Sequence, residues 1–276
     1  MDKEIYLFWK KHYRSPYPFP PNQETWQESW EKDRDGDGRL LFANLQTHTI
    51  RDGSGNIQGL IQYGRTAFGF SPTGDISEDV HYPVIRALCF EDTETGTQLL
   101  RHALSEFPSD ERVYAFFHYF GMSACARHGK LHDRDCHIRK LLLDNGFVVE
   151  HENVYYSRVL TDADCCTNAV SLQWQPLSAG SCREFEAQVQ GKAVCWGQVH
   201  FLPQGDAAYL RWIYVADDLQ HRGLGRAVME ASFRDLYTRG IRRFDTDTAC
   251  DNTIAQRFYV KTGFQNRGIT RSYYTK

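Results

Sequence analysis

Apolar and polar positions along this chain follow two periods. Over residues 2–13 and 23–33 the apolar positions recur at helical spacing, and the breaker run Ser15-Pro16-Tyr17-Pro18-Phe19-Pro20-Pro21 separates the two predicted helices. The runs Leu40 to Ile50 and Ile57 to Phe68 alternate instead at the period of a strand. The segment Arg51-Asp52-Gly53-Ser54-Gly55-Asn56 between them predicts an antiparallel hairpin. The pattern then predicts strands over 82–90 and 112–120, helices over 96–106 and 136–144, and a long strand over 147–160. The second half predicts strands over 169–175, 183–190, 193–202 and 208–215, a helix over 225–238, a strand over 241–249, a helix over 254–262 and a last strand. Strands joined by helical crossovers on a mixed sheet make an α/β fold.

The order of elements repeats. Residues 135–147 lie over residues 252–264 at a constant offset (252 − 135 = 117), and both copies end in paired tyrosines, Tyr155-Tyr156 and Tyr273-Tyr274. An internal repeat divided near residue 162 accounts for this, with one domain over 1–161 and another over 162–276.

Composition narrows the functional classes. With 41% apolar and 24% charged residues in 276, the chain is ordinary and globular rather than disordered. A net charge of −3 supplies no general attraction to nucleic acid or anionic lipid. The first residues carry no apolar leader core, and no apolar run of membrane-spanning length occurs, so we expect a soluble, cytoplasmic protein, monomer or homodimer, with no nucleic acid or membrane partner. Eight cysteines without a scaffold spacing read as reduced thiols.

The most informative stretch is Leu210 to Met229. A β-rich apolar strand enters a polar turn, Gly223 and Gly225 open a helix, and Met229, Phe233 and Leu236 recur on one face before Gly240 ends it. Glycines there let backbone N–H groups converge at a helix N-terminus, a concavity suited to a pyrophosphate, with Arg222 and Arg226 as reinforcement. The stretch matches neither the three-glycine dinucleotide fingerprint nor the Walker loop, which disfavours nucleotide hydrolysis.

The segment Gln220-His221-Arg222-Gly223-Leu224-Gly225 resembles the Q/R-x-x-G-x-G/A acetyl-CoA loop of the GNAT N-acetyltransferase superfamily. Asn252-x-x-Ala255-x-x-x-Tyr259-x-Lys261-x-Gly263-Phe264 is similar to that family's closing helix and turn. The resemblance covers about residues 165–276. It implies acetyl-CoA as co-substrate, held by Ile213, Tyr214, Val215, Gln220, His221, Arg222, Gly223, Leu224, Gly225, Arg226 and Asn252. The first half resembles a degenerate second copy, so the whole chain looks like a tandem GNAT protein with a mixed, mostly antiparallel sheet and flanking helices.

The first copy departs from the pattern. Its turn over residues 91–98 is acidic and keeps one glycine, which would repel a diphosphate, and Leu142 stands where the second copy has Tyr259, so we expect neither cofactor nor catalysis there. The second copy lacks room for the two helices that follow the family's first strand, since few residues separate Gln175 from Arg183, and the first half is expected to supply the missing acceptor wall.

Acyl transfer to an amine requires a deprotonated nitrogen, yet at neutral pH only about one alkylammonium in a thousand is neutral. It also requires a proton for the departing thiolate. Tyr259 is the candidate acid. Asp245 and Asp247 share one face of the strand over 243–249, where mutual repulsion is expected to favour a base; Asp247 precedes the tyrosine by the spacing at which some GNAT members carry a glutamate (259 − 247 = 12). The expected reaction is acetyl transfer to a small-molecule primary amine; the alternatives are a protein amine, or a sensor that binds acyl-CoA without turning it over. Cys125, His128, His132 and Cys136 have metal-ligand chemistry but no standard spacing, so no metal is assigned. The calcium-loop-like start at Asp33 lacks its closing glutamate and reads as a turn.

Overall fold

A computed structural model of the chain describes residues 3–35, 37–125, 129–165, 169–175 and 181–276. Its elements are α1 (Lys3–His12), α2 (Gln23–Lys32), β1 (Phe42–Arg51), β2 (Ile57–Thr66), β3 (Gly69–Phe70), β4 (Ile76–Ser77), β5 (Pro83–Phe90), α3 (Thr93–Ser105), β6 (Tyr114–Ala115), β7 (Leu131–His132), α4 (Cys136–Asp144), β8 (Phe147–Val159), β9 (Val170–Trp174), β10 (Cys182–Val189), β11 (Lys192–Phe201), β12 (Ala207–Val215), α5 (Leu224–Thr238), β13 (Arg243–Ala249), α6 (Thr253–Lys261) and β14 (Gln265–Thr275). The fold is mixed α/β with mostly antiparallel pairing.

The chain packs into two compact units, one holding residues up to Glu152 together with Thr270–Lys276, the other holding principally Asn153–Ile269. In the first unit β1 and β2 form the expected hairpin, from Phe42 opposite Thr66 to Arg51 opposite Ile57. Its strand order is β1-β2-β5-β6-β14, with β5 and β6 parallel over two residue pairs, Val84–Tyr114 and Ile85–Ala115. The strand expected over 112–120 shrinks to β6. Phe116 and Tyr119 have φ of 54° and 74°, in the left-handed region that extended pairing cannot accommodate. α3 and α4 bury Leu99, Leu100, Leu141 and Leu142 against Ile61, Ile85 and Tyr273. Removing such side chains from water stabilises the unit by about 1.5–3 kcal/mol each.

The second unit has strand order β8-β13-β12-β11-β10-β9. β8 enters it through residues 153–159, antiparallel to β13 from Asn153–Ala249 to Val159–Arg243. β9 and β10 pair antiparallel with seven residues between them (182 − 174 − 1 = 7), too few for two helices. Met229, Phe233 and Leu236 of α5 are fully buried beside Phe244 and Phe264.

The repeat is visible in the backbone. α4 spans 136–144 and α6 spans 253–261, an offset of 117 at both ends, and each is followed by a left-handed glycine, Gly146 at φ 84° and Gly263 at φ 87°. The final strand of each repeat pairs with a strand of the other. β8 pairs with β13 in the second unit, and β14 pairs with β6 in the first through Tyr273–Ala115 and Tyr274–Tyr114.

Candidate active site in the second unit

β12 and β13 run parallel from Ala207–Arg243 to Leu210–Thr246, where their pairing ends although β12 continues to Val215 and β13 to Ala249. On the other edge of β12 the register skips Arg211, since Trp212 faces Gln198 and Leu210 faces Val199. A bulge at the point where two parallel strands separate re-aims the backbone that follows.

The chain beyond Val215 forms a short 3-10 turn, Asp217–Leu219, and enters α5 through His221 and Gly223 at φ 61° and 80°. Gly223 is the N-cap and offers no capping side chain. Elsewhere Asn22, Asp92 and Asn252 cap α2, α3 and α6 with their own oxygens, on Thr25, Thr95 and Ala255 N–H groups. Gly223 therefore adds no acceptor of its own to the first turn of α5, whose N–H groups and positive dipole end suit an anion. Gly225 keeps that approach low: a Cβ there would lie 3.3 Å from Phe258 Cε2 on α6, so the loop and the closing helix are fitted to each other.

The other loop residues brace or face solvent. Gln220 Nε2 donates to the Val215 carbonyl at 3.0 Å and to Asp217 Oδ1 at 2.9 Å, so its amide shapes the turn and already occupies that carbonyl. Arg226 pairs with Glu230 at 2.8 Å on the surface, an ion pair worth little. His221 and Arg222 are exposed, Leu224 is half-buried, and on β12 Tyr214 is exposed while Ile213 packs against the core. Asn252 spends its carboxamide oxygen capping Ala255 N at 3.1 Å.

Tyr259 and Asp247 come together. Tyr259 is 6% exposed, packed against Tyr156 and Phe264 with ring centroids 5.5 Å away in each case. Burial raises its phenol above the ordinary 10.0; a hydrogen bond with Thr246 opposes that, and the charge of Asp247 adds to it. The group stays protonated at neutral pH. Asp247 accepts from Tyr209 Oη at 2.7 Å and from Asn153 Nδ2 at 2.5 Å. Tyr209 is itself buried, and burial followed by the Asp247 charge holds its phenol well above the usual range.

Asp245 and Asp247, expected to repel each other on their shared face, are each held by partners. Asp245 is fully buried, but Arg243 supplies a counter-charge at 2.7 Å and Tyr155 Oη donates at 2.5 Å. Sequence reading left out Tyr209, Asn153 and Tyr155. Tyr209 lay on the alternating face of β12, and Tyr155 in the repeated tyrosine pair, which are the available signals.

Residues 148–264 match the model of the acetyltransferase (GNAT) family. This segment is a GNAT domain. Two curated relatives, the [ribosomal protein bS18]-alanine N-acetyltransferases of Salmonella typhimurium and Escherichia coli K12, are 38% and 36% identical over 69 residues, 25% of this chain. The chain spans 47% of their length. Among solved structures, the glucosamine N-acetyltransferase region of a fungal multi-domain β-N-acetylglucosaminidase aligns with 99% of this chain and 37% of its own, with TM-score 0.64 and 12% identity. A tandem GNAT protein of the clavulanic acid biosynthesis pathway aligns over 94% of this chain and 97% of its own, with TM-score 0.57 and 12% identity. The fold of the chain is thus that of a tandem GNAT protein.

The turn before α3 is closed by its own cap. Asp92 caps α3 by accepting from Thr95 N at 2.9 Å and Thr95 Oγ1 at 2.9 Å, placing a carboxylate where the second repeat has Gly223. Leu142, the counterpart of Tyr259 (259 − 142 = 117), is fully buried. Among the described residues no group of three metal-ligating side chains is assembled, and His128 lies outside them. Asp33, from the calcium-like segment, is instead a buried counter-ion to Arg86 at 3.1 Å. Among the described residues no helix is long and apolar enough to cross a membrane.

Proposed function

We propose that the second unit is an N-acetyltransferase that moves acetyl from acetyl-CoA directly to the primary amine of a small molecule. The observation that carries this reading is the uncapped N-terminus of α5 beside the parting of β12 and β13, with Tyr259 and Asp247 gathered at that parting. Bound acetyl-CoA supplies the activated acyl group; residues 220–226 would hold its diphosphate, and the backbone of Ile213, Tyr214 and Asn252 its pantetheine arm. Tyr259, kept protonated by burial, serves as the acid toward the leaving sulfur. Asp247, fixed by Tyr209 and Asn153, draws the proton from the incoming ammonium, directly or through a water. The carboxylates and aromatic rings there suit a compact cationic amine. The likeness to enzymes named for a ribosomal-protein alanine supports a second reading, a protein amine as acceptor.

Thiol release from acetyl-CoA, followed with a panel of small amines and peptide N-termini, tests this. The proposal expects amine-dependent release that falls about 10²-fold or more in Tyr259→Phe with the coenzyme still bound. Release with peptides alone selects the second reading. Coenzyme binding without any amine-dependent release makes the unit a sensor and refutes catalysis.

A further inference from the structure

The first unit has lost the features for a diphosphate, but it has kept a pocket. β5 and β6 pair only through Ile85–Ala115, and beyond that point a pocket of about 100 Å³ lies among β5, α1 and α4. That is several times the roughly 10–15 Å³ one water needs. Trp9, Tyr13 and Phe116 furnish aromatic walls, and Ala87 and Cys89 line it from β5.

One wall residue has no structural duty to explain it. Asp135 is the N-cap of α4 and the repeat counterpart of Asn252 (252 − 135 = 117). Asn252 spends its oxygen capping its helix, whereas Asp135 makes no side-chain cap bond. It is 7% exposed, and its Oδ1 is buried with no hydrogen-bond partner. A buried carboxylate oxygen left without a donor is costly, and a ligand that donates to it recovers that cost. Arg14, exposed and lining the same pocket, makes no hydrogen bond or ion pair among the described residues. Arg86 is neutralised by Asp33 and adds no net charge. An acceptor in the wall, a cation on the solvent-exposed Arg14 and aromatic faces together describe a ligand carrying ammonium and carboxylate on a short apolar body.

We propose that the first unit binds a small zwitterion of the amino-acid class in this pocket, its ammonium on Asp135 and its carboxylate toward Arg14. The site is independent of coenzyme binding in the second unit. It makes the cofactor-less repeat a ligand-binding module rather than a relic.

Calorimetric titration of the full chain without coenzyme, using the α-amino acids from glycine to leucine with butylamine and butyrate as half-ligands, tests this. The expected result is saturable binding of at least one amino acid and weaker binding of both half-ligands. Affinity should fall tenfold or more in Asp135→Asn, and also in Ala87→Phe, which fills the pocket, while Gly225→Glu, altered only in the second unit, leaves it unchanged. Asp135→Asn is nearly isosteric, so circular dichroism with that variant separates a lost contact from a lost fold. Absence of binding by every amino acid, or binding indifferent to both first-unit variants, overturns the proposal. So does binding lost in Gly225→Glu.

Discussion

Gly240 and Gly263 follow α5 and α6 in the same way, each just past the helix C-cap with φ of 92° and 87°. Alanine at either site must adopt the left-handed region, at about 1–2 kcal/mol, offset by about 0.4–1 kcal/mol from the reduced freedom of the unfolded chain. Gly240→Ala should therefore cost about 1 kcal/mol, since a Cβ there meets nothing within 4 Å. At Gly263 the Cβ would come within 1.8 Å of Arg158 Nη1. That guanidinium cannot move cheaply. Nη1 donates to the Thr262 carbonyl at 2.8 Å, Nη2 pairs with Asp164 at 2.5 Å, and the group sits 4.3 Å from the Phe233 ring centroid. A hydrogen bond from a charged donor contributes about 1.5–3 kcal/mol, so Gly263→Ala should cost about 2–3 kcal/mol more than Gly240→Ala. Urea unfolding of both variants measures the difference, and an Arg158→Ala background should shrink it to within about 0.5 kcal/mol. Equal destabilisation at the two glycines would show that Arg158 does not constrain position 263.

Two further outcomes follow from the titratable groups. Asp135 is raised from 3.8 to about 6, chiefly by burial, with Arg14 and Arg134 lowering it and Asp133 raising it; His12, Lys130, His132 and the Cys89 thiol share its pocket. The folded state holds this proton more tightly than the unfolded chain, so the contribution is complete below pH 3.8 and is lost as pH rises through about 6, amounting to about 3 kcal/mol. Asp135→Asn should flatten that slope and be the more stable protein at pH 7; an unchanged slope in the unfolding free energy between pH 4 and 7 contradicts it. Tyr209→Phe removes a donor to Asp247 and should cost about 1–3 kcal/mol in unfolding, with turnover reduced and coenzyme affinity kept. Unaltered stability and turnover would remove Tyr209 from the network.

Local chemistry was legible in the sequence where it rests on neighbours in the chain. The glycines around α5, the apolar face of Met229, Phe233 and Leu236, and the offset between α4 and α6 are all short-range patterns, and the structure carries each of them. What joins distant segments left no such trace. Asn153 reaches Asp247 across 94 positions and Tyr155 reaches Asp245 across 90, through a strand pairing that periodicity does not specify. Alternation marked Tyr209 as an inward residue, yet it says nothing of where a hydroxyl finds its acceptor. The pairing of β8 with β13 and of β14 with β6 was equally invisible, because each strand looks the same whichever partner it takes. The truncated β6 reflects two left-handed residues, Phe116 and Tyr119, whose side chains have the propensity of a strand.

We propose that main-chain N–H groups at the start of α5 hold the coenzyme's diphosphate. Calorimetric titration of coenzyme A into the wild-type chain, Gly225→Ala and Gly225→Glu tests it most directly. Alanine adds only Cβ contacts with Phe258 and Val215, whereas glutamate adds a carboxylate at the helix N-terminus, as Asp92 does on α3. Measurable binding is expected in wild type, with a modest loss in Gly225→Ala and a loss of about 10²-fold or more in a folded Gly225→Glu. Coenzyme binding in Gly225→Glu as tight as in wild type would contradict it.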